Sequence, residues 1–167
     1  AQVRSDPSFR AAGSFDPAQY RAAVQRSFGG VARFEETARR SLAAEILRRG
    51  AAIVVIDQDH EVNSGAWRRL AEAGVEVREW RMDPETGALD TEALETLLQD
   101  GAVRLVAFPH CSNIVGEIND AARICRMVRR AGAYSCVDGV SLAPHGLPDI
   151  GAIAPDIYLF STYKTYG

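Results

Sequence analysis

The amino-acid sequence predicts an α/β fold: a mainly parallel sheet with helices on both faces, in three layers. From residue 51 onward, short apolar runs rich in Val and Ile alternate with amphipathic segments of helical period, a pattern typical of strand–helix units. Polar residues follow several of these runs directly. Because the carboxyl ends of parallel strands meet at one edge of a sheet, we expect a functional site at that edge.

The N-terminal part of the sequence shows weaker signals. Residues 1–15 have no clear period and are predicted to form an irregular arm. Asp16 precedes a proline, a pair that favours a helix start, because aspartate caps the backbone and proline fits the first turn. A second helix is predicted over 31–49, where apolar residues recur at four-residue steps. We divide the chain into an arm with a helix at 1–30 and a larger domain at 31–167.

Five segments of the larger domain have strand character. Four are continuous apolar runs, which predicts strands buried on both faces. The fifth alternates apolar and charged residues, which predicts a half-buried strand near the sheet edge. The buried strands are predicted at 51–56, 103–109, 134–137 and 157–160, and the edge strand at 75–82.

Helices are predicted between the strands, each with apolar residues on one face. One covers 65–73 and ends at a glycine, and the next covers 91–99. Asp120 is the expected N-cap of a third helix, because its carboxylate can accept free backbone N–H groups of the first turn. A short helical segment is expected between the last two strands.

Composition limits the kinds of partner. The 167 residues include 19 Lys and Arg against 22 Asp and Glu, for a net charge of −3, and the two signs are interspersed. This distribution favours neither nucleic-acid binding nor attachment to a membrane surface. No apolar run approaches the roughly 20 residues of a membrane span, and no signal-peptide core is found at the N-terminus. We therefore expect a soluble, cytoplasmic protein.

The sequence has three cysteines and no CxxC pair. A zinc site needs closely spaced ligand pairs, so none is predicted. Cys125 falls in a predicted helix and Cys136 in a predicted strand, which indicates small buried residues in a reducing compartment. Cys111 is expected to be structural as well, although it lies close to Asn113.

An aspartate and a lysine follow the last two predicted strands. Asp138 comes directly after one, and Lys164 lies shortly after the other. Pyridoxal phosphate needs such a pair, because a lysine amine forms a Schiff base with its aldehyde and a carboxylate keeps its ring nitrogen protonated. Spacing alone favours a simpler interpretation, in which Asp138 caps a helix and Lys164 is solvated.

Two further candidates follow earlier strands. His60 ends the segment Asp57-Gln58-Asp59-His60; it could serve a site, satisfy a strand-end hydrogen bond, or join an acidic metal site with Asp57 and Asp59. Residues 57, 59 and 60 do not share one side of an extended chain, which weakens the metal hypothesis. Asn113 follows the strand at 103–109 and could instead serve turn chemistry.

Four motifs in order resemble one known family. VDGVSLAPHG and DIYLFSTYKTYG near the C-terminus, DQDHEVNSGAW at 57–67 and FPHCSNIVGEIN at 108–119 are similar to segments of class V aminotransferases. These are fold-type I pyridoxal-phosphate enzymes, and the cysteine-desulfurase-like branch is the most similar. The resemblance covers most of the chain from residue 51 and implies the large domain of that fold.

The resemblance implies a role for each candidate. The expected roles are imine formation and proton transfer for Lys164, contact with the pyridine nitrogen for Asp138, ring stacking for His60, a hydrogen bond to the phenolic oxygen for Asn113, and phosphate contact for Ser161. Ser141 and Tyr163 stand where cysteine desulfurases usually carry glutamine and histidine, and either could hydrogen-bond the cofactor. These two differences favour a less characterised branch, such as an epimerase or another lyase, over a desulfurase.

The resemblance also implies an amino-acid substrate and a homodimer. The family's phosphate-binding loop is not found between 31–49 and the first strand, and the small C-terminal domain with any catalytic cysteine loop is absent from the sequence. We therefore expect a partial chain. Two alternatives are a doubly wound module that binds a nucleotide or a metal ion without a covalent link, and an inactive fragment of a pyridoxal-phosphate enzyme.

Overall fold

The computed structural model describes residues 10, 11, 14, 15, 18, 22, 44 and 51–166. The chain divides into two compact units, Ala1–Glu45 and Ile46–Gly167. The predicted division at residue 30 stays a prediction.

In the first unit, strand β1 (Arg10–Ala11) pairs antiparallel with strand β2 (Ser14–Phe15). The expectation of an irregular arm over 1–15 is therefore wrong at these four residues. A ladder of two residues per strand is too short to produce an alternating pattern that sequence reasoning could detect. Residues 18, 22 and 44 are helical. The rest of the helix predicted to start at Asp16 and of the helix predicted at 31–49 lies outside the described residues.

The second unit contains a five-stranded sheet. Its strands are β3 (Ala52–Ile56), β4 (Glu76–Trp80), β5 (Val103–Pro109), β6 (Tyr134–Asp138) and β7 (Ile157–Leu159). They lie in the order β4-β3-β5-β6-β7, and every neighbouring pair is parallel. This confirms the predicted fold class.

Helices connect consecutive strands. Asp90 and Asp120 cap the second and third of them, accepting hydrogen bonds from the N–H groups of Glu92 and Arg123. The helices are α1 (Glu61–Arg68), α2 (Thr91–Leu98), α3 (Ala121–Arg130), α4 (Ile150–Ile153) and α5 (Thr162–Tyr166), with 3-10 turns at Arg69–Ala73 and Ala143–His145.

The core explains why the central strands are apolar on both faces. One face of the sheet packs against α2, α3 and α4, where Leu94, Ile124, Val128 and Ile153 are buried. The residues that point to the other face of the central strands are buried as well, among them Ile53, Val55, Leu105 and Cys136. Burial on both faces removes the alternation that one-sided strands show.

Two predicted elements differ from the structure. The run at 157–160 was expected to be buried, but β7 is the edge strand of the described sheet, and Leu159 and Phe160 are 43% and 53% exposed. Helix α1 begins at Glu61, four residues before the predicted start, because the N–H groups of Asn63 and Ser64 already bond to the His60 carbonyl.

The connections place a crevice at the carboxyl edge of the sheet. The chain leaves β3 for β4 on one side and then passes to β5 on the other side of β3. Loops that depart in opposite directions from adjacent strands leave a gap where ligands bind in open α/β sheets.

Among the described residues, no helix has the length and apolar character that crossing a membrane requires.

Candidate active site

A cleft of about 360 Å³ opens at the carboxyl ends of β3, β5, β6 and β7. That volume falls in the range of small-molecule sites. Six of the seven residues predicted from the sequence line the cleft: His60, Asn113, Asp138, Ser141, Ser161 and Lys164. The seventh, Tyr163, lies in α5 one residue before Lys164. The strand ends therefore bring together residues more than 100 positions apart in the sequence.

Asp138 is the last residue of β6, and its carboxylate holds the turn that follows. Oδ1 accepts a hydrogen bond from the N–H of Val140 at 2.8 Å. The next residue, Gly139, has no room for a side chain, because a Cβ there would lie 2.2 Å from the Tyr158 ring. The strand end and the close approach of Tyr158 fix the position of this carboxylate at the cleft.

Tyr158 and His110 form a polar pair next to this turn. The Tyr158 hydroxyl and His110 Nδ1 are 2.9 Å apart, and the two rings meet edge to face. Burial lowers the pKa of His110. Burial and the nearby Asp138 charge raise the pKa of Tyr158 to about 12. Both side chains are therefore neutral at pH 7, and their hydrogen bond adds no charge beside Asp138.

Asn113 lies in a tight turn, but it does not supply the turn chemistry. Ser112 does so: its Oγ accepts hydrogen bonds from the N–H groups of Ile114 and Val115 at 3.1 and 3.2 Å. Ser112 Oγ also donates to the Gln58 carbonyl at 2.7 Å. The neighbouring loop thus anchors the turn through Ser112, while Asn113 lies at the cleft.

His60 lies between β3 and α1 and is held from both sides. Its N–H donates to Asp59 Oδ1 at 2.7 Å, and its carbonyl accepts from the N–H groups of Asn63 and Ser64 at 2.9 and 3.0 Å. Asp59 also lines the cleft and is 6% exposed. The pKa of Asp59 is raised to about 6, mainly because the carboxyl group is buried and also because of the Asp138 charge; the hydrogen bonds from His60 and Asn63 reduce the shift.

Lys164 is presented by α5, the short helix after β7. The carbonyl of Ser161 accepts from the Lys164 N–H at 3.2 Å and from Thr165 Oγ1 at 3.0 Å. Ser161 and Lys164 therefore lie about one turn apart at the start of the helix. Lys164 is exposed at the cleft, where an amine can reach a ligand.

The structure offers no support for a metal site at Asp57 and Asp59. Asp57 Oδ1 accepts the N–H of Met82 at 2.9 Å, while Asp59 bonds to His60 and Asn63. Within the described part of the chain, no group of three His, Cys, Asp or Glu residues is placed to hold a metal ion.

The cysteines behave largely as predicted. Cys125 and Cys136 are buried, and burial raises the pKa of both thiols, that of Cys136 to about 12. Cys111 is half-buried and lines the cleft. Asp59 and Asn63 also line the cleft, although neither was among the residues predicted to bind the cofactor. The four-residue spacing of Asp59 and Asn63 at the predicted strand end was the available signal.

The family model for aminotransferase class-V matches residues 30–167. This chain belongs to the aminotransferase class-V family. An aminotransferase-like protein of Gibberella zeae is 39% identical over 132 residues, which are 77% of this chain and 33% of that protein. A probable cysteine desulfurase of Xylella fastidiosa is 38% identical over 128 residues, which are 76% of this chain and 30% of that protein.

Solved structures agree with the assignment to the class-V family. A cysteine desulfurase of Escherichia coli superposes with a TM-score of 0.69 at 29% identity, covering 75% of this chain and 31% of that one. A cysteine desulfurase of Thermococcus onnurineus superposes with a TM-score of 0.64 at 27% identity, covering 87% and 38%. The chain spans about a third of the length of the curated relatives it matches.

Class-V aminotransferases and cysteine desulfurases depend on pyridoxal phosphate, and the cleft of this class-V chain fits that cofactor. The described lining offers one group for each part of the molecule. Lys164 offers an amine for the aldehyde, and Asp138 offers a carboxylate for the ring nitrogen. Asn113 offers an amide for the phenolic oxygen, and His60 offers an imidazole for the ring face. Ser161 and Ser141 offer hydroxyls for the phosphate.

Proposed function

We propose that this chain carries the cofactor-binding part of a pyridoxal-phosphate-dependent enzyme that acts on an amino acid. The observation that supports the proposal best is the presence of Lys164 and Asp138 at one cleft. When bound, pyridoxal phosphate supplies an aldehyde that condenses with amines and a ring that accepts electrons from a substrate's Cα. This chain's residues then have to hold the ring, keep its nitrogen protonated and move a proton.

In this proposal Lys164 holds the cofactor covalently and, once a substrate amine has displaced it, moves the Cα proton. Asp138 pairs with the ring nitrogen, since a carboxylate favours the protonated form of a neighbouring base. His60 covers one face of the ring, and Asn113 donates to the phenolic oxygen. Ser161 contacts the phosphate, with Ser141 and Tyr163 as further hydrogen-bonding groups.

The reaction branch is a finer proposal. We infer lyase or epimerase chemistry in preference to cysteine desulfuration, because Ser141 and Tyr163 replace the glutamine and histidine that desulfurases usually carry at these positions. A serine hydroxyl and a phenol have different reach and acidity from those groups. Release of sulfide from cysteine, compared with elimination, racemisation and transamination of other amino acids, separates these branches.

The family resemblance also supports a homodimer and a cytoplasmic location as proposals. Sedimentation of the protein with and without cofactor tests the first. A shift from a monomer to a dimer, or a stable dimer in both states, supports it, and a monomer in both contradicts it.

The covalent link is tested by Lys164→Ala. With pyridoxal phosphate added, the protein is expected to acquire a visible absorbance band that borohydride fixes irreversibly to the chain, and the variant to lose both. Lys164→Arg is the matched control, because it keeps the positive charge but cannot form the link. The proposal is wrong if either variant retains a borohydride-stable adduct on the peptide containing α5.

A further inference from the structure

Three side chains form a hydrogen-bonded chain that runs away from the cleft along α1. Trp67 Nε1 donates to Asn63 Oδ1 at 3.0 Å, and Asn63 Nδ2 donates to Asp59 Oδ2 at 2.6 Å. Asn63 and Trp67 lie four residues apart on one side of α1, and Asp59 lies four residues before Asn63, just ahead of the helix. The chain of bonds ends at the N–H of His60, which donates to Asp59 Oδ1.

The direction of every bond in this chain is fixed by one residue. An indole N–H can only donate, so Asn63 has to turn its oxygen towards Trp67. The Asn63 amide nitrogen then points at residue 59, where only an acceptor satisfies it. Asp59 also accepts from the His60 N–H, so both of its oxygens serve as acceptors, as an ionised carboxylate allows.

The consequence reaches the cleft through the backbone of His60. Asp59 holds the N–H of His60, while the first turn of α1 holds its carbonyl. With both backbone groups bonded, the direction in which the His60 side chain leaves the backbone is restricted. Asp59 itself is nearly buried, so water cannot readily replace its partners.

We propose that Asp59, Asn63 and Trp67 are positioning residues that orient His60 against the face of the bound cofactor. This inference rests on the proposed function, because His60 is assigned to the ring face there. The inference also gives Trp67 a role. Its indole N–H fixes the orientation of the Asn63 amide, so residue 59 has to offer a hydrogen-bond acceptor to Asn63.

The test uses the fixed donor and acceptor directions of these hydrogen bonds. Asp59→Asn replaces one of the two acceptor oxygens with a donor, which then opposes either the Asn63 amide nitrogen or the His60 N–H. Asn63 cannot relieve this by turning its amide, because its nitrogen would then oppose Trp67 Nε1. In Asp59→Asn combined with Trp67→Phe, the indole donor is gone, so Asn63 can turn and accept from the new amide. The second substitution is therefore expected to repair the first, although each removes a native hydrogen bond.

Two readouts follow the position of His60. One is the induced circular dichroism and affinity of bound pyridoxal phosphate, which report the environment of the ring. The other is hydrogen exchange of the His60 amide in the cofactor-free protein. Asp59→Asn is expected to weaken cofactor affinity and to speed His60 exchange by about tenfold each. The double variant is expected to return both to within about threefold of the parent protein.

Asp57→Asn is the matched control. It removes the same charge two residues earlier, but Asp57 Oδ1 accepts from Met82 in a different loop, so both readouts are expected to stay unchanged. Additive effects of the two substitutions, or His60 exchange unaltered in Asp59→Asn, would overturn the inference. If the parent protein binds no pyridoxal phosphate but the exchange data show the repair, the proposed function fails while the hydrogen-bonded chain stands.

Discussion

A buried amide links three loops at the carboxyl edge of the sheet, and its removal gives the sharpest stability prediction. Gln58 is fully buried. Its Nε2 donates to the Gly87 carbonyl at 2.5 Å, and its Oε1 accepts from Asn119 Nδ2 at 2.7 Å. Asn119 Nδ2 also donates to the Pro109 carbonyl at 2.8 Å. Gln58→Leu keeps a side chain of similar size but removes both bonds.

The magnitude follows from what each partner loses. Among the described residues, the Gly87 carbonyl has no second hydrogen-bond donor to replace Gln58, whereas Asn119 keeps its bond to the Pro109 carbonyl. A buried group left without its partner costs about 1–3 kcal/mol, and a lost hydrogen bond about 1 kcal/mol. The added apolar burial of leucine offsets about 1 kcal/mol. Gln58→Leu is therefore expected to lower the free energy of unfolding by about 1–3 kcal/mol.

Urea unfolding followed by circular dichroism measures this difference. Gln99→Leu is the matched control, because Gln99 is exposed at the end of α2, and a surface change of this kind stays within about 0.5 kcal/mol. Gln58→Glu adds a second arm. The protonated glutamic acid can donate to the Gly87 carbonyl and accept from Asn119. The loss in the free energy of unfolding relative to the parent protein should therefore become smaller as pH falls. A Gln58→Leu cost equal to that of Gln99→Leu would refute the reasoning.

Three further predictions concern the same unit. Gly139→Ala is expected to destabilise the protein by about 3 kcal/mol or more, because the new methyl group overlaps Tyr158 ring atoms as well as its hydroxyl. In thermal melting, adding Tyr158→Ala should restore the lost stability, whereas adding Tyr158→Phe should not. Ala154→Gly is expected to raise the free energy of unfolding by about 0.5–1 kcal/mol, because Ala154 has a φ of 51°; urea unfolding that shows a loss would contradict this. Because the pKa of Asp59 is raised to about 6 from 3.8, the folded state retains a proton that the unfolded state releases. Stability should therefore fall by up to about 3 kcal/mol as pH rises from about 4 to about 6, and a similar fall in Asp59→Asn would assign the effect elsewhere.

The sequence was most informative where burial on both faces left continuous apolar runs. The strand at Val103–Pro109 has the predicted bounds, and β3 and β6 agree within one residue. Polar residues placed directly after such runs could be assigned to one edge of the sheet, because parallel strands bring their carboxyl ends together. That geometric rule accounts for His60, Asn113, Asp138 and Lys164 meeting at one cleft. Ser141 and Ser161 were predicted from the family resemblance.

Other features depend on tertiary contacts that leave no periodic signal. The apolar run of β7 has the composition of a buried strand, yet its position at the edge of the described sheet exposes Leu159. The start of α1 depends on the His60 carbonyl rather than on a preferred capping residue, so the predicted start was late. The importance of Asp59 follows from the partners of both its oxygens, and a sequence gives residue types but not the direction of hydrogen bonds.

The two loops that follow β4 and β5 show why position in the sheet outweighs local chemistry. In one, Asp83 Oδ1 accepts from the N–H groups of Glu85 and Thr86. In the other, Ser112 Oγ accepts from the two residues at the same offsets. Gly87 and Gly116 take the same left-handed conformation, with φ of 75° and 76°.

These two turns are nearly interchangeable as local structures, but only the second lines the cleft. The first follows β4, which lies beyond β3 at the far edge of the sheet, whereas the second follows β5, between β3 and β6. The residue after the turn-forming side chain is Pro84 in one case and Asn113 in the other. The loop after β5, which the strand order brings to the cleft, thus carries Asn113, whose side-chain amide can hydrogen-bond a ligand. The matching loop after β4 carries Pro84, which has no side-chain donor.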